Sequence, residues 1–511
     1  MRPSTMTVQS RFSRRGRSCF ILLAVALVLF LFLSTARILK TISIATSTPE
    51  DAWNAPEFNP VCSLPELRTL KDSDVKLGPQ FNYVRRCINP RYDDNIDRHD
   101  RGDGRFVDTV MNINRPLITN KITVNLEACE PTESIPCEPI ELPIHRPYYE
   151  MKHDQFVFGV ATTFKRLEGS KATFKHWLAN SGATLIALVI GKDGQPRKSD
   201  LKRLVQDYAD AGMTLKIVQP RGKSYTESNS HAMMIVDMLD HINGEGDESP
   251  ARWLGIIDDD TFFPSLSALR EAFSRYDPTV PTYLGARTEH DEFNSTGMGK
   301  AFHGAGIFLS VPLARQIAPH LESCRNHRDG DIQIMECVHN HTNARLTQVQ
   351  GLQQQDLRGD VSGFFESGWR FLSLHHWNSW YEAPVTRMAA VVPLCGDCFL
   401  QRYSFSDNAV LTNGYSISVY PNGLPDLTRM EATWEDANHA PEIAGKFYQA
   451  SLGPLREKMS EEDKLSYRLV DAYTTSDWNF RQIFVRRGDP EKEEVDEVID
   501  LLWQLQWHLE S

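Results

Sequence analysis

Asp258, Asp259 and Asp260 follow the apolar run Trp253-Leu254-Gly255-Ile256-Ile257 without a break. Carboxylates a few ångströms apart repel one another and raise one another's pKa, so three in a row at the end of a buried strand need compensation. Two compensations are open. One is water, in an acidic turn where Asp260 caps the helix that follows Pro264; the other is a divalent cation, which accepts oxygen ligands and neutralises the cluster. Two common acidic metal loops are excluded at once, because a D-x-D-x-T phosphatase motif and an EF-hand both need an oxygen ligand at position 262, which is Phe262. Elsewhere His375, with His376 beside it, offers imidazole, and Asp331 is a further carboxylate that serves equally as a helix N-cap. The pair Cys395 and Cys398 suggests a local disulfide, since no second such pair or nearby His pair completes a zinc site.

The elements that would position these groups are legible as alternating strands and helices. Phe156-Val157-Phe158-Gly159-Val160 is a buried-type strand, followed by a helix with Phe174, Trp177 and Leu178 at helical spacing. Leu185 to Ile190 is a second strand and Leu201, Leu204, Val205 and Tyr208 mark a second helix, stopped near Gly212. Leu215 to Val218 is a third strand, Glu227 to Ile242 a third helix, and Trp253 to Ile257 the fourth strand. This alternation predicts an α/β fold with a parallel sheet. Such sheets bind ligands beyond the C-terminal ends of their strands, where Asp258-Asp259-Asp260 falls. From about 401 to 511 the texture changes to short β-like runs such as Tyr415 to Val419 and then acidic segments that read as helical, ending at Leu501-Leu502-Trp503.

With 511 residues, 41% of them hydrophobic, the chain can bury at least one large core. Its net charge of -12 argues against a nucleic-acid partner. The N-terminus differs from the rest: Arg2, Arg11, Arg14, Arg15 and Arg17 precede an uncharged, mostly apolar run from Cys19 to Ala36, closed by Arg37 and Lys40. It reads as a single membrane anchor rather than a cleaved signal peptide, with residues 1–18 cytosolic and the chain beyond it lumenal. Residues 37–150 read as a stem. Of the nine cysteines, Cys19 lies in the apolar run and the others form an even set, as expected in an oxidising lumen. Nearest-neighbour pairing would join Cys62 to Cys87, Cys129 to Cys137, Cys324 to Cys337 and Cys395 to Cys398. Asn294 and Asn340 head glycosylation sequons.

Several segments, in order, carry a resemblance. Trp253 to Phe262, with its acidic triplet, resembles the metal-binding strand of the Fringe-like β1,3-glycosyltransferases, inverting enzymes of the β1,3-galactosyltransferase type. Phe156 to Thr163 resembles their first, nucleotide-binding strand, with Lys165 and Arg166 just beyond; Phe302-His303-Gly304-Ala305-Gly306 resembles the glycine-rich segment lining the active site. Gly330-Asp331 stands where the family has two carboxylates, with Asp329 an alternative base, and His303 stands where the family usually has glycine. Leu372-Ser373-Leu374-His375-His376-Trp377 resembles the late segment that supplies a metal-ligating His, and Cys395 to Leu400 is similar to a segment of the fungal branch. The resemblance covers roughly 155–380.

It implies a GT-A type, Rossmann-like domain over 151–400, and Mn²⁺ or another divalent cation held by Asp260 and His375, with His376 the fallback. It implies a UDP-sugar donor met by Thr162, Arg166, Asp258, Asp259, Gly304 and Gly306, and Asp331 as general base. The implied activity is Golgi or ER transfer of a hexose or N-acetylhexosamine to a glycan, glycoprotein or glycolipid hydroxyl, with inversion and a β1,3 linkage. Trp369, Trp377 and Trp380 are candidates to stack on a sugar face, or core residues. A silent lumenal glycan-binding protein and a metal-dependent nucleotide-sugar hydrolase are the rival readings.

Overall fold

A computed structural model describes residues 75–93, 95–96, 110–127, 135, 137–147, 151–191, 196–220, 227–246, 249–289, 299–324, 329–435, 448, 451–475 and 479–504. The expected anchor at 19–36, Cys62, Cys129 and Asn294 lie outside these residues. Among the described residues no helix is long and apolar enough to cross a membrane. Asn340 lies exposed near the end of a helix.

Four strands come first: β1 (Gln80–Tyr92), β2 (Met111–Ile113), β3 (Ile122–Asn125) and β4 (Pro139–Ile144). The α/β unit follows, in the order β5 (Phe156–Thr162), α1 (Phe164–Gly169), α2 (Lys171–Leu178), β6 (Thr184–Val189), α3 (Lys198–Asp210), β7 (Thr214–Val218), α4 (Glu227–Gly244), β8 (Trp253–Ile257), α5 (Leu266–Phe273), β9 (Tyr283–Gly285), β10 (Ile307–Ser310), α6 (Val311–Ile317), α7 (Gly330–His341) and β11 (Leu346–Gln348). Its seven-stranded sheet has the order β11-β9-β10-β8-β5-β6-β7. The strands expected from the sequence, β5 to β8, are parallel neighbours. The sheet as a whole is mixed, because β10 runs against both β8 and β9.

Each face of this sheet is covered by a different kind of packing. On one, Met234 and Met238 of α4 close over Gly159 of β5, where a Cβ would come 2.5 and 2.6 Å from their sulfurs. Glycine there lets the helix approach, and flexible methionines fill the space. A ring cluster links Phe158 to Trp177 at 5.0 Å and to Phe263 at 5.4 Å, and Phe273 to Phe308 at 4.7 Å. Burying each such ring contributes about 1.5–3 kcal/mol, so the strand ends stand on a stiff base.

Beyond β11 come β12 (Arg402–Phe405), β13 (Ala409–Thr412), β14 (Ser416–Val419), β15 (Met430–Glu431), β16 (Leu455–Arg456), β17 (Leu465–Thr474), β18 (Phe480–Arg486) and β19 (Asp496–Trp503). Most of them join the first four strands in a ten-stranded sheet, β2-β12-β13-β14-β17-β18-β19-β1-β3, with β4 beside β1. The stretch read as a stem and the C-terminal region therefore share one sheet, β1 lying parallel to β19. The helical reading of the acidic C-terminal segments fails for β17 to β19. Their acids find partners across strands instead: Asp500 meets Arg481 at 2.8 Å, and Glu497 meets Tyr467 at 2.6 Å and Lys121 at 3.0 Å.

The disulfide Cys87–Cys137 corrects the expected Cys62–Cys87 and Cys129–Cys137 pairs. Cys87 of β1 lies opposite Pro139 of β4, which brings Cys137 within reach. Cys324–Cys337 and Cys395–Cys398 form as the spacing predicts.

Glu366 locks the second sheet to the segment before it. It binds Lys464 at 2.6 Å, Arg468 at 2.8 Å and Ser416 at 2.6 Å. Burial pushes its carboxyl up, but Lys464 and Arg468 outweigh that and bring it down to about 2. The unfolded chain holds this proton more readily than the folded one, so the stabilisation is complete above about pH 4.5 and lost as the pH falls through about 2. We expect chemical denaturation of the native chain to lose about 3 kcal/mol from this group between those limits. Glu366→Gln should flatten that part of the stability profile while lowering stability at pH 7.

Candidate active site

β5 and β8 are adjacent parallel strands, with Val160 opposite Ile257. β6 and β7 lie on one side of β5 and β8 on the other, so the strand order reverses at this pair. A crevice opens at such a switch point beyond the C-terminal ends. Thr162 ends β5 there, and Asp258 begins the turn after β8.

The turn is held by its own threonine. Asp258 N donates to Thr261 Oγ1 at 2.9 Å, and the same hydroxyl donates to Gly304 O at 2.9 Å, tying the acidic triplet to the glycine-rich segment. Phe262 and Leu374 exchange backbone hydrogen bonds of 2.8 Å, which sets His375 over the triplet. Ser265, whose hydroxyl accepts from Ala268 N, caps the next helix, so Asp260 is not its cap.

Asp260 Oδ1 and His375 Nε2 lie 3.0 Å apart, both buried, yet neither atom has a partner aligned for a hydrogen bond. The other ring nitrogen, Nδ1, faces Gln354 O at 3.1 Å, and His375 N donates to Gln355 Oε1 at 2.8 Å. An imidazole anchored through Nδ1, with Nε2 and a carboxylate oxygen converging, matches the way metal-ligating histidines are oriented. These residues fit a divalent cation, and a mixed carboxylate and imidazole set suits Mn²⁺-like ions. Burial lowers the His375 pKa, but the Asp258 and Asp260 carboxylates outweigh it and raise the imidazole to about 10. A cation bound at Nε2 must displace that proton. Between about pH 6 and 9, Mn²⁺ binding should therefore release close to one proton and tighten as the pH rises. Titration calorimetry in buffers of different ionisation enthalpy measures this, and a buffer-independent heat would count against His375 as a ligand.

Gly304 packs under the His375 ring so closely that a Cβ would fall onto the imidazole. We expect Gly304→Ala to push His375 aside and weaken Mn²⁺ binding at least tenfold with the fold retained, as judged by calorimetry and circular dichroism. Gly306 has φ +100°, a left-handed conformation that favours glycine.

Asp331 lies on the opposite side of Asp258. Asp329 caps α7, its side chain accepting from Asp331 N at 2.9 Å, and it also pairs with Lys300 at 3.4 Å. The alternative base is thus occupied with capping, and Asp331 is not the cap. The Asp331 side chain is 4% exposed, with Oδ1 accepting from His303 Nδ1 at 2.6 Å and from His303 N at 3.2 Å. Burial works against its charge, but His303 outweighs this and holds the carboxyl below the usual range. His303 Nε2 lies 3.4 Å from Asp258 Oδ2. Burial likewise opposes the charge of Asp258, which His303 and His375 nevertheless hold well below its ordinary pKa.

The buried carboxylate of Asp259 is taken up by Thr162 Oγ1 and the Arg166 guanidinium. Burial and the Asp258 charge push its pKa up to about 6. Thr162 and Arg166 thereby brace the triplet, while Arg166 keeps 49% of its side chain exposed at the crevice. The tryptophans also have structural duties. Trp377 Nε1 donates to Asp260 O at 2.6 Å, Trp380 stacks on His376 at 4.2 Å, and Trp369 packs near Phe364 at 6.0 Å. His376 Nε2 faces Asp356 Oδ1 at 3.3 Å, yet it also belongs to a group with Asp260 and His375 that is placed to hold a metal.

Sequence reasoning missed His231, whose ring lies 4.1 Å from that of His303, and the buried Glu289, which accepts from Gln355 N and Asp356 N at 2.9 Å. A lone His within an apolar helix and an isolated Glu carry no sequence signal of such roles.

The model of a family described as "Protein of unknown function, DUF604" matches residues 291–394. This span holds the glycine-rich segment, Asp331 and His375, and begins after the acidic triplet. No curated protein matches the chain. Among solved structures, a mannosyltransferase from Pyrobaculum calidifontis in complex with GDP-Man and Mn²⁺ is similar at 14% identity and a TM-score of 0.28, over 43% of this chain and 64% of that one. The chain thus spans less than two thirds of that protein's length. The glycosyltransferase GlyE of Streptococcus pneumoniae TIGR4 is similar at 12% identity and a TM-score of 0.27, over 47% of this chain and 60% of that one. Mouse xyloside xylosyltransferase 1 is similar at 12% identity and a TM-score of 0.25, over 38% and 84%. Likeness at this level carries no functional weight, which rests on the site's own residues.

Proposed function

We propose that the chain is a metal-dependent glycosyltransferase that moves a hexose or N-acetylhexosamine from a UDP-sugar to a glycan hydroxyl, with inversion and a β1,3 linkage. We place it in the Golgi lumen behind an anchor at 19–36. The observation that carries the reading is the meeting, at the β5/β8 switch point, of the Asp260–His375 pair with a second, buried carboxylate, Asp331, on the far side of Asp258.

Asp260 and His375 would hold the cation, which would supply neutralisation of the charge developing on the leaving UDP. Arg166, fixed by Asp259 and with 49% of its side chain exposed, would meet the donor nucleotide. Gly304 leaves the space that the His375 ring fills, and Gly306 supplies the left-handed turn beside it, so both would shape the donor site through the groups they seat. Asp331 is the base: His303 occupies Oδ1 through two hydrogen bonds, and Oδ2 remains to take the proton of the acceptor hydroxyl as that oxygen attacks the anomeric carbon from the face opposite UDP. Ionisation of Asp331 at neutral pH follows from its lowered pKa.

The test is turnover by the lumenal chain from about residue 41 across UDP-sugars, with Mn²⁺ or EDTA, following UDP and free sugar. Acceptor-stimulated UDP release that needs Mn²⁺ and yields no free sugar is expected. Free sugar without an acceptor product would make the protein a nucleotide-sugar hydrolase, and no release or UDP binding at all would leave a glycan-binding protein.

A further inference from the structure

His231, Asp258 and His303 lie together on the side of the crevice away from His376. One ligand atom from each falls within a 4.8 Å span. His231 is 4% exposed on α4, and its ring tilts 32° against that of His303 at 4.1 Å. His303 is oriented from behind: its Nδ1 meets Asp331 Oδ1 at 2.6 Å, which leaves Nε2 directed to Asp258 Oδ2 at 3.4 Å. A carboxylate on one ring nitrogen, with the other aimed at further ligands, is how metal-ligating imidazoles are held. Asp258 also faces the first cation position, since its Oδ2 is 3.7 Å from His375 Nε2.

We propose that His231, His303 and Asp258 form a second cation position, nitrogen-rich and selective for Zn²⁺- or Co²⁺-like ions, with Asp258 standing between it and the Asp260–His375 position. Ligands bonded to one ion at about 2.1 Å in a tetrahedral arrangement sit about 3.4 Å apart, the separation His303 Nε2 and Asp258 Oδ2 already have, so an inward turn of His231 by at most about 1.4 Å closes the site. Two imidazoles and one carboxylate favour borderline transition ions over Mg²⁺ or Ca²⁺, whose ligands are oxygens. Charge favours a second ion too. Asp258, Asp259, Asp260 and Asp331 converge here, Arg166 pairs with Asp258 and Asp259, and a diphosphate adds more negative charge. Asp331 then has two duties through separate oxygens, Oδ1 orienting His303 and Oδ2 facing the acceptor. The cation position itself stands on the geometry alone; a role for it in holding the donor rests on the transferase reading.

The test uses Co²⁺ alone, without donor, by equilibrium dialysis and visible absorption on the lumenal chain. Wild type is expected to bind two equivalents. Asp260→Asn should keep the position with two imidazole ligands, and His303→Gln and His231→Gln should each lose it while keeping the other. Because His231 is buried, its variant is read only if its thermal unfolding stays cooperative; His303→Gln, at a site 24% exposed, carries the test if it does not. A single equivalent in wild type, or two equivalents retained in His303→Gln, overturns the proposal. If wild type binds one Co²⁺ yet turns over UDP-sugar with Mn²⁺, the second position falls and the transferase reading stands. Two equivalents with neither turnover nor UDP binding would mean the reverse.

Discussion

Asp260→Ala is expected to lower UDP-sugar turnover by about 10²–10³-fold and to abolish the Mn²⁺ dependence of UDP binding. The side chain is 15% exposed and its Oδ1 converges with His375 Nε2 at 3.0 Å, so its removal leaves the imidazole facing only the more distant Asp258 Oδ2, at 3.7 Å. Stabilisation of charge developing in the transition state is commonly the largest catalytic contribution, and losing one well-placed group costs about 2.7–4 kcal/mol. The backbone carbonyl of Asp260 still accepts from Trp377, so the turn should survive and the thermal midpoint should move little. Calorimetry of UDP with and without Mn²⁺, beside a turnover assay, checks both halves. Turnover near wild type in this variant would remove Asp260 from the mechanism.

The second large effect separates chemistry from binding. Asp331→Asn should reduce turnover by about 10²–10⁴-fold, the range a general base supplies, while UDP affinity in Mn²⁺ stays within about twofold. The amide keeps the shape and can still accept from His303 N, but it cannot take the acceptor's proton. Asp329→Asn is the internal contrast. Its carboxylate caps α7 and pairs with Lys300; asparagine caps about as well, so this change should cost less than about 1 kcal/mol of stability with turnover largely kept. If Asp329→Asn lost turnover and Asp331→Asn did not, the base would be reassigned. An equal fall in both would point instead to displacement of α7.

Much of the site was legible because its chemistry is written in consecutive residues. The apolar run ending at Ile257 had to be a buried strand, and three carboxylates after it had to meet a cation or water. The alternation of strand and helix over 156–257 likewise implied the parallel strands β5 to β8. The antiparallel β10 was not legible, since nothing in an isolated four-residue run says which way it enters the sheet. Nor was the C-terminal sheet. Glu497 and Asp500 look like one face of an acidic helix until Tyr467, Lys121 and Arg481 are brought across strands to them.

By itself the sequence determined the strand that delivers the acidic triplet, the order of the site segments and the Cys324–Cys337 and Cys395–Cys398 pairs, because these depend on neighbours close along the chain. Only the tertiary structure decided which carboxylate does what. Asp259 turns to Thr162 and Arg166, Asp329 caps a helix, and Asp258 comes to lie between His303 and His375, although these groups are far apart along the chain. Charge and hydrogen bonding act over a few ångströms of space, and closing the long loops between the β5, β8, β10 and α7 segments is what brings those distances about.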